Sequence, residues 1–140
     1  MKIVVGVDGS EHSLRAVAWC AKYAGRLGAE VIAVHAIELP VYPRSMDFPP
    51  MPLYSPADRE KLRAVLVEQW CEPLERAKVP FRSVLSDGHA TNLIRHTADA
   101  EDADLLVVGC RGLGGFTDLV LGSTSHQLSH PLVRPLVVVP

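Results

Sequence analysis

No apolar run in this sequence is longer than a β-strand, far short of the roughly 18 residues that suggest a membrane-spanning helix, so a membrane protein is not expected. Charge of one sign is not in excess either. The 14 Lys and Arg stand against 16 Asp and Glu, a net charge of −2, and no basic block stands out, which makes nucleic acid a poor candidate partner. Cysteine is scarce: Cys20, Cys71 and Cys110 are odd in number and widely spaced, which excludes a disulfide framework and a CxxC metal or redox pair. The opening MKIVVGVDGS reads as strand and turn, without the charged and apolar regions of a signal peptide, and cytoplasm is the expected compartment. Two nucleotide signatures are missing as well. No GxxxxGK[ST] occurs, and GxGxxG read from Gly112 finds Thr117 where its third glycine should be.

The 140 residues, 48% hydrophobic and 21% charged, fit one globular domain over residues 1–140. The β-branched run at 2–8 reads as a buried strand ended by Gly9 and Ser10, and 30–37, 81–85, the LLVV of 105–108 and 135–139 as four more. Helices are expected from Ser13 to Gly25 or Gly28, with Leu14, Val17, Ala18, Ala21 and Ala24 inward. Others are expected over 57–77, broken by Pro73 near Glu72, over 90–100 and over 123–129. Six of the eleven prolines fall in 40–56, which reads as a long surface loop, either a lid or an interaction segment. The alternation of strand and helix argues for a parallel sheet with helices on both faces, whose ligands bind beyond the carboxyl ends of the strands.

The stretch VVGCRGLGGFTDLVLGSTS (107–125) carries the chemistry. Gly109, Gly112, Gly122 and Ser123 are spaced G-x2-G-x9-G-S directly after the fourth strand. Glycines let a ligand approach the backbone, and the free amides opening a helix attract anions. Asp8, at the end of the first strand, faces the same edge. His126 and His130 stand at i, i+4 but lack a third ligand and the Glu of HExxH, and read as surface residues. Ser10 is not set in GxSxG, and nothing orders a Ser-His-Asp set. The site has donors without an evident general base, the chemistry of holding a ligand more than turning it over.

These glycines, together with IVVGVDGS, the His35 ending of the second strand, DADLLVVG and the closing RPLVVV, make the whole chain resemble the universal stress proteins, in their ATP-binding branch. The resemblance implies a Rossmann-like, five-stranded parallel sheet of order 3-2-1-4-5. It implies ATP, with Mg2+, as ligand: Asp8 beside the ribose, with Gly6 and Val7 lining the cleft, and the Ala36 backbone reading the adenine edge. Val108, Gly109, Arg111 and Gly112 would run under ribose and phosphates, and Gly122, Ser123, Thr124 and Ser125 would hold the phosphates. It further implies a homodimer joined through the last strand, and a regulatory or interaction module with, at most, slow hydrolysis or autophosphorylation. The alternatives are a partner-binding dimer without nucleotide and a slow ATPase. On the residues alone, His35 on its apolar strand reads as a satisfied core histidine.

Overall fold

The computed structural model describes residues 1–38, 54–113 and 121–140. Five strands, β1 (Lys2–Gly6), β2 (Glu30–Ile37), β3 (Phe81–Asp87), β4 (Leu105–Gly109) and β5 (Leu136–Val139), form one parallel sheet in the order β3-β2-β1-β4-β5. This is the expected order. The central strand β1 pairs with β2 and β4, so Ile3 lies beside both Val31 and Leu105. The order in which strands are added reverses between β1 and β4, the switch point where such folds open a crevice.

Alternate residues of the inner strands are buried on opposite faces, which is why their sequences read as unbroken β-branched runs. Val5, Val31, Ala33 and Val107 pack against Val17 and Cys20 of α1 (Glu11–Tyr23), with Leu66 and Leu74 beside them. On the other face Val4, Ile32, Val34 and Leu106 pack against Ile94 and Ala98 of α4 (Ala90–Ala100) and Leu128 of α5 (Ser123–Ser129). Two apolar layers therefore clamp the sheet and hold its carboxyl edge in place.

Several expected details change. Helix α1 starts at Glu11, because the Ser10 hydroxyl accepts the Ser13 amide at 3.3 Å. It buries Ser13, Ala16, Val17, Cys20 and Ala24, while Leu14 is exposed. The reason is Ser13, whose hydroxyl donates to the Ser10 carbonyl and accepts the Asp8 amide, so a polar residue takes the inward place and turns Leu14 to the rim. Gly28 closes the helix: its φ of +58°, with Ala29 N–H bonded to Ala24 O and Gly28 N–H to Gly25 O, makes a Schellman turn.

The helix expected over 57–77 is three pieces: α2 (Pro56–Val65), one π turn (Leu66–Trp70) and α3 (Glu72–Arg76). Cys71 N–H reaches back five residues to Leu66 O, and Pro73 lies in the first turn of α3, where its missing donor costs nothing. The expected loop over 40–56 lies mostly outside the described residues. Its end is different from expectation, since Ser55 caps α2 and Pro56 is its first residue. Among the described residues no helix is long and apolar enough to cross a membrane.

Candidate functional site

The chain leaves β1 at Gly6 and turns at Gly9, whose φ is +80°. A side chain there would be strained and would also meet the Trp70 ring, 2.5 Å from its Cβ position. Within this turn the Asp8 carboxylate accepts the Ser10 amide at 2.9 Å through Oδ1. Through Oδ2 it accepts the Leu113 amide at 3.3 Å. One side chain thus joins the start of α1 to the glycine loop 105 residues away.

Each glycine of the G-x2-G-x9-G spacing meets a different neighbour. A Cβ on Gly109 would lie 2.6 Å from the His12 carbonyl carbon, one on Gly112 would lie 2.6 Å from Asp8 Oδ2, and one on Gly122 would lie 3.1 Å from Arg111 Cα. Gly109 is therefore required by the close approach of α1, whereas a side chain at Gly112 would displace the Asp8 carboxylate and one at Gly122 would press on the Cys110–Gly112 backbone. Residues 114–120, inside the x9 span, lie outside the described residues.

Cys110 is where the loop is tied. Its N–H donates to Val139 O at 2.7 Å, and its carbonyl accepts the Gly122 amide at 2.6 Å and the Ser125 hydroxyl at 3.0 Å. Ser125 is 2% exposed, and its one hydroxyl hydrogen is shared between Cys110 O and Gly122 O. Its side chain therefore fastens the start of α5 to the end of β4. Ser123 is exposed and Thr124 half-buried at that start, and the first intrahelical amide bond is from His126 to Gly122 O. Val7 and Val108 are buried, and Gly6 packs under Ile94, so these act through packing and backbone. The Cys110 thiol lies 3.4 Å from His12 Nδ1.

Beside this loop is a cleft of about 330 Å3 lined by Asp8, His35, Ala36, Ile37, Glu38, Tyr54, Leu62, Trp70 and Leu113. Its volume lies in the range of small-molecule sites, roughly 300–1,000 Å3. Of the expected site residues, Asp8 and Ala36 line it directly, and the Gly112–Leu113 turn is bonded to Asp8. Gly122 and Ser125 are bonded to the Cys110 carbonyl, and neither they nor Ser123 and Thr124 line the cleft. Sequence reading missed Trp70, Tyr54 and Leu62. Trp70 faces the cleft because of the π turn, which no periodicity announces. His35 differs from the core histidine expected: Nδ1 is satisfied, 2.7 Å from Val7 O, but the ring is half-buried on the cleft wall, edge-on to Trp70 at 5.1 Å.

The other two thiols are buried in the core on the α1 side of the sheet. Burial pushes Cys20 up to about 12, with Cys71 nearby adding to the effect, and burial pushes Cys71 up to about 11.

Comparison with known proteins gives a consistent result. The sequence model described as the universal stress protein family matches residues 1–140. A universal stress protein of Thermus aquaticus is 34% identical over 139 residues, 98% of this chain and 96% of that protein. One from Mycobacterium tuberculosis (strain H37Rv) is 35% identical over 144 residues, 97% of this chain. The chain spans only 44% of the length of that mycobacterial protein. Among solved structures, a universal stress protein in complex with cAMP superposes with a TM-score of 0.74 at 24% identity, over 100% of this chain and 97% of that one. An Arabidopsis thaliana family protein with AMP bound gives 0.65 at 19% identity, over 99% and 90%. An Archaeoglobus fulgidus protein in complex with dAMP gives 0.70 at 21%, over 100% and 98%. At these identities the structural likeness speaks for the fold.

Proposed function

The chain belongs to the universal stress protein family, and from that premise we propose that it is a single-domain, ATP-binding regulatory or interaction module. The observation that carries this reading is the convergence of Asp8, Ala36 and Leu113, the residue after Gly112, on one cleft at the carboxyl edge of the sheet. Relatives of the same fold have been solved with cAMP, dAMP and AMP, which supports an adenine nucleotide as the ligand class.

In this reading the base lies against Trp70, Leu62 and Tyr54, and Asp8 accepts the ribose hydroxyls. Gly109, Arg111 and Gly112 pass beneath the ribose and phosphates, while the amides of Ser123, Thr124 and Ser125 and the hydroxyls of Ser123 and Thr124 receive the phosphates; the Ser125 hydroxyl is already committed to Cys110 O and Gly122 O. Helix-start donors contribute about 0.3–1 kcal/mol each, and a micromolar site needs about 8 kcal/mol, so burial of the base supplies most of the remainder. Among the described residues no three of His, Cys, Asp and Glu gather around a point. Mg2+ would enter with ATP as an ion carried on the phosphates, with the Ser123 and Thr124 hydroxyls as the neutral oxygens near it.

Binding itself is the proposed activity, with hydrolysis or phosphorylation slow. A homodimer through β5 accompanies it, because β5 is a sheet edge whose Leu136 and Val138 turn their backbone groups away from β4. The test is mass spectrometry of nucleotide released from freshly purified, denatured protein, followed by calorimetric titration with ATP and Mg2+, AMP and cAMP. Release or titration of an adenine nucleotide supports the reading. Absence of both signals, repeated, overturns it.

A further inference from the structure

The end of the β1–β2 ladder is built in an unusual way. Val7 N–H donates to Val34 O at 2.9 Å, and the next bond of a parallel ladder would run from Ala36 N–H to the Val7 carbonyl. That carbonyl is held instead by the imidazole of His35, whose Nδ1 is 2.7 Å from it. A carbonyl oxygen only accepts, so Nδ1 carries the hydrogen and donates it. The ring of Trp70 packs edge-on against the imidazole and fixes its orientation.

The consequence falls on Ala36. Val34 turns its backbone towards β1 and Ile37 towards β3, where Ile37 O accepts the Gly88 amide at 3.1 Å. By the two-residue period Ala36 faces the β1 side, just past the last residues that β1 pairs. Among the described residues neither its N–H nor its C=O has a backbone partner, and the residue lines the cleft.

We propose that His35 is a positioning residue: by holding the Val7 carbonyl it stops the β1–β2 ladder one bond early and keeps the Ala36 N–H and C=O open as a donor–acceptor pair for a 6-aminopurine edge. The N–H would donate to ring N1 and the C=O accept from the exocyclic amine. A 6-oxopurine in the same pose presents N1–H and O6, the reverse pattern, and is rejected. The inference rests on the reading of the cleft as a purine nucleotide site, yet its first half concerns the ladder alone and is measured without ligand.

The experiment uses the full chain, 15N-labelled, as wild type, His35→Phe and His35→Asn. Phe keeps an aromatic ring beside Trp70 but has no donor. Asn places an amide N–H near the Nδ1 position. Amide exchange of Ala36 in the free protein should be fast in wild type and His35→Asn and at least about tenfold slower in His35→Phe, where the freed Val7 carbonyl captures it. The preference for AMP over IMP, by calorimetry, should fall about tenfold in His35→Phe, the worth of one hydrogen bond, and return in His35→Asn. Equal Ala36 exchange in wild type and His35→Phe overturns the proposal, as does an unchanged AMP to IMP ratio. Should His35→Phe fail to fold, 15N spectra of the wild-type imidazole decide instead: an Nδ1–H tautomer supports the proposal, and an Nε2–H tautomer overturns it. Wild type that binds no purine nucleotide overturns the purine half, while the exchange result still judges the hold of His35 on the ladder.

Discussion

Replacing each glycine of the loop in turn separates what the fold requires from what a ligand requires. A Cβ on Gly109 would stand 2.6 Å from the His12 carbonyl carbon and 2.8 Å from its oxygen, and ordinary contact begins near 3.4 Å. The neighbour is backbone in the first turn of α1, which Ser10, Ser13 and Asp8 hold by hydrogen bonds, so about 0.8 Å of retreat must come from the helix or from the end of β4. Overpacking of this kind costs about 1–3 kcal/mol. Loss of glycine's freedom in the unfolded chain returns about 0.4–1 kcal/mol. Gly109→Ala should therefore destabilise by about 1–2 kcal/mol, a fall in Tm of roughly 3–8 °C for a chain of this size. Urea titration followed by circular dichroism is the assay, with the midpoint lowered at constant slope. A midpoint equal to or above that of wild type would refute the packing argument and return Gly109 to a purely ligand-bound role.

Gly112→Ala should leave the urea midpoint nearly unchanged, because its obstacle is a movable carboxylate. It should weaken adenine nucleotide binding about tenfold, by displacing Asp8, and calorimetry that finds equal affinity rejects that link. Gly25 has open space around it and no positive φ, so Gly25→Ala should stabilise by about 0.4–1 kcal/mol, whereas Gly28→Ala, at φ +58°, should destabilise by about 1 kcal/mol; a Gly28→Ala variant as stable as wild type in denaturant titration would contradict the Schellman assignment. With Cys20 and Cys71 raised to about 12 and about 11, a thiol reagent at pH 8 should label Cys110 fast and the other two only on unfolding. The folded state holds these protons more tightly than the unfolded state, so the contribution is complete below about pH 9 and is lost as pH rises towards 11–12. A stability profile flat from pH 8 to 11 would count against it. Val138→Pro removes an outward N–H of β5 without touching its bonds to β4, and light scattering should show monomer in place of the proposed dimer; an unchanged mass would place any interface elsewhere.

Reading from residues to fold works here where the physical cause is local. The runs 30–37 and 105–108 read as strands because a strand covered on both faces must be apolar at every position, and β2 has the expected bounds, Glu30–Ile37. Gly28 and Ser10 end and begin α1 through chemistry within a few residues. The inward face of α1 differs from its apolar pattern because Ser13 is polar, and only its bonds to Ser10 and Asp8 make it a good buried residue. The π turn depends on how α2 and α3 meet the sheet around Pro73, and with it came Trp70, which helical periodicity alone does not bring to a cleft.

Asp8, Gly109, Gly112 and Gly122 stood out as a group in the one-dimensional chain, since turns at strand ends need these residue types in any context. What the tertiary structure decided is what each of them touches: α1 for Gly109, the Asp8 carboxylate for Gly112, the loop backbone for Gly122, and the Val7 carbonyl for a histidine 28 residues away. Those contacts join segments that only the pairing of β1 with β2 and β4 brings within bonding distance. Local composition therefore determined the elements and the sheet edge at which the cleft opens, and the assembled sheet determined which residues line that cleft.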